Sequence, residues 1–430
     1  MLVCALLLAQ QGFGPPLQIE PPRTEALLQV LADDTASAQL RAEALADLAA
    51  GDGPLPLEPL LALRNLAHGP ALADYARCLG RSEPGALPVL RKIADKDDAQ
   101  ARAEAVYAIA HLDADGGVAF ARSVLAGTLQ PDMARVAALR ALADLESPFA
   151  RVEALRALER AEGPLLMEAL AVLRRHPDLE DAPYLVRVLD RCSGRPGRET
   201  VALLQELTGY RVGLDARTWE YFLLKHKAEG TPFRRDAAAV EAETETLSYF
   251  GIPIRSDRVV FVLDSSGSMN DLLPEQPRHT RGSMAVEELI RTLPRLEPQA
   301  RFNIVFFSER AAAFGPAPSG RDGGLSPRTE EQLTAATGWL RNRRFDGGTN
   351  ILAALELAFE HPGVEEVILL SDGEPTVGEV RPYRILNQVA RWNRWRHVRV
   401  STIALAAPLG ARQFLYKLAA QHDGACRVLE

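Results

Sequence analysis

RVVFVLDSSGSMN, residues Arg258–Asn270, runs five consecutive apolar residues into a carboxylate and a cluster of hydroxyls. Val259, Val260, Phe261, Val262 and Leu263 show no polar alternation, the pattern of a central parallel strand covered on both faces by helices. Open α/β sheets place ligand sites just beyond the carboxyl ends of such strands. Asp264, Ser266 and Ser268 stand there in a D-x-S-x-S spacing, and Gly267 lets the backbone turn sharply enough for alternate side chains to converge. One carboxylate and two hydroxyls are hard oxygen donors of the kind Mg²⁺ or Mn²⁺ takes. Alone, the pattern is also what an Asx-turn produces, because Asp and Ser crowd turns for conformational reasons.

Two later stretches add donors of the same kind. Phe345–Asn350, FDGGTN, is a glycine loop leading into the helical run ILAALELAF, which puts Thr349 near a helix start. A second apolar strand, Val367–Leu370, ends in Ser371-Asp372-Gly373-Glu374. With D-x-S-x-S at Asp264, Ser266 and Ser268, G-G-T at Thr349 and S-D-G at Asp372, the chain resembles a von Willebrand factor A (integrin I-like) domain carrying a complete metal-ion-dependent adhesion site, over roughly Leu247–Glu430. The resemblance implies a Mg²⁺ (or Mn²⁺) ion at these five residues. In such domains serine hydroxyls, with or without the threonine, bind the metal directly while one or both aspartates act through water. The cation then keeps positive character and an exchangeable position, which an Asp or Glu of a protein partner fills. Thr349 is expected to shift between direct and water-mediated ligation, and Asp346 to help order the glycine loop.

The rest of this segment alternates regularly. Helices are expected at Gly282–Leu296, Glu330–Arg344, Asn350–Glu360, Pro382–Arg396 and Ala411–Gln421, and strands at Phe302–Phe307, Val364–Leu370, Val398–Leu405 and Ala425–Leu429. Such βαβ alternation implies a doubly wound, mostly parallel, Rossmann-like sheet with right-handed crossovers. LSYFGIPI, Leu247–Ile254, reads as an edge strand or a docking arm, since Pro253 excludes a central strand, and Ala311–Arg328 reads as a long surface loop.

Upstream the composition changes. Thr24–Leu207 is rich in Ala, Leu, Arg and Glu and repeats itself: Arg41-AEALADL, Arg102-AEAVYAI, Arg135-VAALRAL and Arg151-VEALRAL each set apolar residues at i, i+3, i+4 and i+7. Gly and Pro breakers separate helices too short to bury an apolar face alone, so a HEAT-like α-solenoid of stacked pairs is expected, with a non-repetitive bundle as the alternative. Its Arg residues read as solvated surface. GRPGR, Gly194–Arg198, reads as a loop, and Trp219, Phe222 and Leu223 as a packing stripe. The expected organisation is 1–16, an apolar leader; 17–207, HEAT-like repeats; 208–246, a helical connector; and 247–430, the von Willebrand factor A domain.

MLVCALLLA, Met1–Ala9, has the apolar core of an export signal, yet no Lys or Arg precedes it and Leu7 stands where an A-x-A cleavage site needs a small residue. Export to the cell envelope and an apolar first segment of a cytoplasmic protein both remain open. Across 430 residues, 49 basic and 57 acidic side chains give a net charge of −8, which disfavours a nucleic-acid-binding face. No apolar run approaches the ~20 residues of a membrane span.

Enzyme chemistries fit poorly. A haloacid-dehalogenase-like phosphotransferase needs a second Asp where Ser266 stands, and the chain has no G-x-S-x-G nucleophile elbow, H-E-x-x-H or P-loop. Cys4, Cys78, Cys192 and Cys426 form no C-x-x-C, though Cys78 and Cys192 could pair in an exported protein. The expected function is metal-dependent capture of an acidic side chain on a protein partner, without catalysis, with the solenoid as a second interaction surface. The alternative is a metal-bearing regulatory subunit of a separate ATPase or chelatase.

Overall fold

The computed structural model describes residues 24–65, 68–127, 129–229, 247–273, 276–315 and 324–430. The leader expected at 1–16 and the connector stretch Thr231–Thr246 lie outside them. The chain divides into two compact units, one spanning Glu20–Ala242 and one containing Glu243–Glu430.

The first unit is helical throughout its described length. Helices Ala38–Ala50, Ala71–Leu79, Ala99–Leu112, Asp132–Asp144, Gly163–Arg175 and Gly194–Thr208 form a row in which each packs on the next. Between them in sequence, Leu87–Ala94, Gly117–Ala126, Phe149–Arg160 and Ala182–Leu189 lean on the row, and Ala216–Glu229 packs on Ala182–Leu189. This is an α-solenoid of stacked helix pairs. Ser37 and Asp98 start two of the row helices by accepting the Leu40 and Ala101 N–H groups at 3.1 and 2.8 Å. Asp132–Asp144 is covered on more than one side, with Ala134, Val136, Ala137, Ala138, Leu139, Ala141 and Leu142 fully buried. Alanine's small side chain lets neighbouring helices approach closely there. GRPGR is not a loop: it forms the first turn of Gly194–Thr208, where a proline loses no intrahelical hydrogen bond.

Row helices start at intervals between 28 residues (Ala71 to Ala99) and 33 residues (Ala38 to Ala71). Many of the arginines, while partly solvated, also reach across one such interval. Arg122 Nε meets Glu153 Oε1 at 3.1 Å, Arg140 Nε meets Glu168 Oε2 at 3.0 Å and Arg151 NH2 meets Asp181 Oδ1 at 2.7 Å, at separations of 31, 28 and 30 residues. Arg81 and Arg191 do the same to backbone, donating to the Leu48 and Ala161 carbonyls at 2.6 and 2.8 Å. A cation on the last carbonyls of a helix is favoured by the helix dipole. Cys78 and Cys192 are free thiols, and burial pushes Cys78 up to about 12.

The second unit is a two-faced sheet. Its strands are β1 Ser248–Tyr249, β2 Ile252–Pro253, β3 Arg258–Asp264, β4 Leu272–Leu273, β5 Gln276–Thr280, β6 Arg301–Phe307, β7 Ala311–Ala313, β8 Ser326–Pro327, β9 Glu366–Ser371, β10 Arg399–Leu405 and β11 Cys426–Leu429. Its helices are α1 Arg281–Thr292, α2 Glu330–Arg341, α3 Ile351–Phe359, α4 Pro382–Asn393 and α5 Leu409–Ala420. The main sheet runs β11-β10-β9-β3-β6-β7, parallel except that β7 and β8 pair antiparallel with the outer edge of β6. Strand β3 is therefore central, with β6 on one side and β9 on the other.

Strict alternation distributes β3. Val260 and Val262 face a cluster with Ile351, Leu355, Ile385, Phe414 and Leu415 of α3, α4 and α5. Val259, Phe261 and Leu263 face the opposite cluster, with Ala285, Leu289, Ala336 and Leu340 of α1 and α2. One expectation is corrected, and between an edge strand and a docking arm the structure selects the arm. The segment 311–328 is not wholly a surface loop, because its two ends pair with β6 and Leu325 is buried. Leu247–Ile254 is a tight hairpin of its own, β1 to β2, turning through positive φ at Phe250 and Gly251 and docking Tyr249, Ile252 and Ile254 into the α1/α2 side. No helix among the described residues is long and apolar enough to cross a membrane.

The cross-repeat ion pairs carry a stability prediction. Glu168 is 2% exposed, so Arg140→Met is expected to cost about 2 kcal/mol or more, by analogy with breaking a partly buried pair. Adding Glu168→Leu should recover most of that loss. Chemical denaturation of the two variants and wild type checks both outcomes.

Candidate metal centre

The chain leaves β3, turns to one side through β6, and later returns to the other side through β9, so the strand order reverses between β3 and β9. Such a reversal is where doubly wound sheets have the crevice in which they bind ligands. Asp264 closes β3, Ser371 closes β9, and Asp372 follows it.

Asp264 has no exposed surface. Its Oδ1 accepts the Ser266 N–H at 2.8 Å and its Oδ2 the Ser371 hydroxyl at 2.6 Å. Burial raises its carboxyl to about 6 despite those two donors. The Ser266 and Ser268 hydroxyls lie 3.2 Å apart, and Ser268 donates to Asp372 Oδ1 at 2.9 Å. The side chain of Asp372 is fully buried, and its Oδ2 accepts from Arg281 NH1 at 2.7 Å.

The glycine loop is fastened to this cluster through backbone. Asp346 N–H donates to the Ser265 carbonyl at 2.9 Å and Gly267 N–H to the Gly347 carbonyl at 3.0 Å. The Asp346 side chain itself is exposed. Thr349 is 5% exposed. Its N–H is held by the Thr376 hydroxyl at 2.8 Å and its carbonyl by the Thr376 N–H at 2.9 Å. A Cβ on Gly348 would stand 2.5 Å from Val377 Cγ2 and 2.9 Å from Thr376 Oγ1, so only glycine lets the two loops come this close. Asn350 then caps α3 by accepting the Ala353 N–H at 3.2 Å.

Asp264, Ser266, Ser268 and Asp372 thus form one hydrogen-bonded cluster, with Thr349 on the loop tied to its backbone. Sequence reasoning missed two members. Ser371 was visible as a polar residue closing an apolar strand. Arg281 lies 91 residues from Asp372, and its local signal is only a cation at a helix start, just after the Thr280 cap.

The donor set suits a hard divalent cation. Among the described residues no group of three or more His, Cys, Asp and Glu side chains is placed to hold a metal. What converges is two carboxylates with hydroxyls, the all-oxygen chemistry of Mg²⁺ and Mn²⁺. Neighbouring ligands of an octahedral Mg²⁺, bound at about 2.1 Å, stand about 3 Å apart, and the Ser266 and Ser268 hydroxyls are spaced to that measure.

The profile of the von Willebrand factor type A domain matches from the first residues of β3 to just past Asp372. Residues 259–374 form a von Willebrand factor type A domain. Over 150 residues the chain is 36% identical to mouse (Mus musculus) inter alpha-trypsin inhibitor, heavy chain 4, and over 151 residues 33% identical to human (Homo sapiens) inter-alpha-trypsin inhibitor heavy chain H4. Each match covers 32% of this chain, but only 14% of the mouse relative and 15% of the human one. Among solved structures, a von Willebrand factor type A protein from Catenulispora acidiphila is 21% identical with a TM-score of 0.34, covering 42% of this chain and 40% of that one.

The raised Asp264 carboxyl gives a signed pH prediction for the metal-free A domain. The native state holds the Asp264 proton more tightly than the unfolded chain, whose ordinary value is 3.8. This residue's contribution to stability is therefore greatest below about pH 4 and falls as pH rises through about 6. Asp264→Asn removes that pH dependence. In chelator-treated protein, the variant's melting temperature relative to wild type should climb as pH rises across this window. A constant difference would show that the buried carboxyl does not titrate there.

Proposed function

We propose that the A domain holds one Mg²⁺ or Mn²⁺ at Ser266, Ser268 and Thr349, backed by Asp264 and Asp372, and uses it to capture an Asp or Glu side chain of a protein partner. The observation that supports this reading most is the convergence of the two serine hydroxyls at octahedral spacing in the strand-order crevice, with a buried aspartate behind each loop. A bound divalent cation supplies an electrophilic position that a carboxylate oxygen can fill. The chain's own residues do the rest. Ser371 and the Ser266 N–H fix both oxygens of Asp264, so that carboxylate is oriented before any ligand arrives. Ser268 links the first loop to Asp372, so a ligand drawn to one loop acts on both. The relatives matched by this domain are named as heavy chains of a trypsin inhibitor, and we propose protein binding for it and no reaction.

The helical unit, read as HEAT-like repeats, would offer the second interaction surface. Its stacked helix pairs and its cross-repeat clasps support that reading.

Calorimetric titration of metal-stripped protein with Mg²⁺ and Mn²⁺ tests the site. Saturable one-to-one binding is expected in wild type, with a loss of about a hundredfold or more in Ser266→Ala/Ser268→Ala, since two direct oxygen ligands are removed. Wild-type protein that shows neither binding heat nor a melting-temperature rise with either ion would falsify the proposal.

A further inference from the structure

Arg281 occupies a place that should repel it. It is the first residue of α1, and the amino end of a helix carries partial positive charge, so a guanidinium there is disfavoured. Its side chain is only 18% exposed, and its Nε is buried with no hydrogen-bond partner among the described residues. Against these costs stands one close contact, NH1 to the fully buried Asp372 carboxylate at 2.7 Å. Asp271 is 3.7 Å away and 65% exposed, too distant and too solvated to hold a cation alone. The β4–β5 hairpin enforces the placement. Its base closes where Arg281 N–H donates to the Asp271 carbonyl at 3.0 Å, delivering the chain straight back to the cluster it has just left.

The charges make this consequential. Asp264 and Asp372 bring two negative charges to the crevice and Arg281 returns one positive charge, so the cluster has a net charge of one negative. A divalent cation would overshoot neutrality by one, and a single carboxylate from outside would restore it.

We infer that Arg281 is a tethered cation that couples the two ligands of the site: it weakens binding of the metal alone and strengthens capture of a carboxylate by the metal-loaded site. The inference rests on the metal-binding reading above. Because coupling is reciprocal, whatever factor metal adds to carboxylate affinity, carboxylate adds to metal affinity. The partner's acidic side chain would then be a condition of tight metal loading, and the free protein would hold its metal loosely. Arg281 acts here through Asp372 and the field of the site, as a positioning residue.

The test is calorimetry of Mn²⁺ binding to the metal-stripped full chain, with and without saturating acetate, for wild type, Arg281→Gln and Arg281→Lys, at a pH well above the Asp264 value. In wild type, acetate should tighten Mn²⁺ binding. In Arg281→Gln, Mn²⁺ alone should bind about tenfold more tightly, because a positive charge a few ångströms away has been removed, and the acetate effect should shrink toward none. Arg281→Lys should behave like wild type. Acetate-independent Mn²⁺ binding in wild type overturns the inference without recourse to any variant. Equal Mn²⁺ affinity and equal acetate effect in wild type and Arg281→Gln also overturn it, as does an Arg281→Lys that behaves like Arg281→Gln. Absence of Mn²⁺ binding in all three proteins, with and without acetate, instead overturns the metal reading on which the inference stands.

Discussion

A carboxylate with no exposed surface sits at the end of the central strand, and the candidate site is arranged around satisfying it. Asp264 cannot reach water, so both of its oxygens must find donors within the protein. One donor is the backbone two residues on, which forces the chain to fold back immediately after β3; the other is the hydroxyl that closes β9. The second of these bonds ties the ends of β3 and β9 together at the point where the sheet reverses order. Ser265 extends the same lock to β6, its N–H and hydroxyl both donating to the Phe307 carbonyl at 2.7 and 2.9 Å. The glycine loop then closes over residues 265–267 through backbone bonds that need no particular side chain. Four segments distant in sequence are thereby held together before any ligand is considered.

Much of this was legible in the sequence, and for identifiable reasons. An unbroken run such as Val259–Leu263 can be buried on both faces only inside a sheet covered on both sides, and the period-2 split of its side chains between two clusters follows. Asp264, Ser266, Ser268, Thr349 and Asp372 could be named because each stands next to a glycine or at the end of an apolar run, where local pattern alone marks a turn. The missed features depend on partners far away in the chain. Arg281 looks like an ordinary helix residue until Asp372 is placed beside it. Arg122, Arg140 and Arg151 look like solvated surface because their acids lie in the next repeat, beyond any local pattern. The GRPGR segment misled in the opposite way: glycine and proline signal a loop, yet in the first turn of a helix neither residue forfeits a backbone bond.

The two units thus bury charge in different ways. In the A domain, negative groups are gathered into one crevice and only partly offset, which leaves a local field for something to answer. In the helical unit, Glu153, Glu168 and Asp181 are each met by an arginine from the neighbouring repeat.

The clasps of the helical unit have a consequence for how it comes apart. Each joins a repeat only to its immediate neighbour, so a terminal repeat is held by one junction and an interior repeat by two. The stack is a row of coupled links, and thermal opening enters at its ends and advances link by link. Amides of Asp132–Asp144, covered by helices before and after it, are then the last to exchange with solvent, and the array keeps a closed middle while its ends breathe.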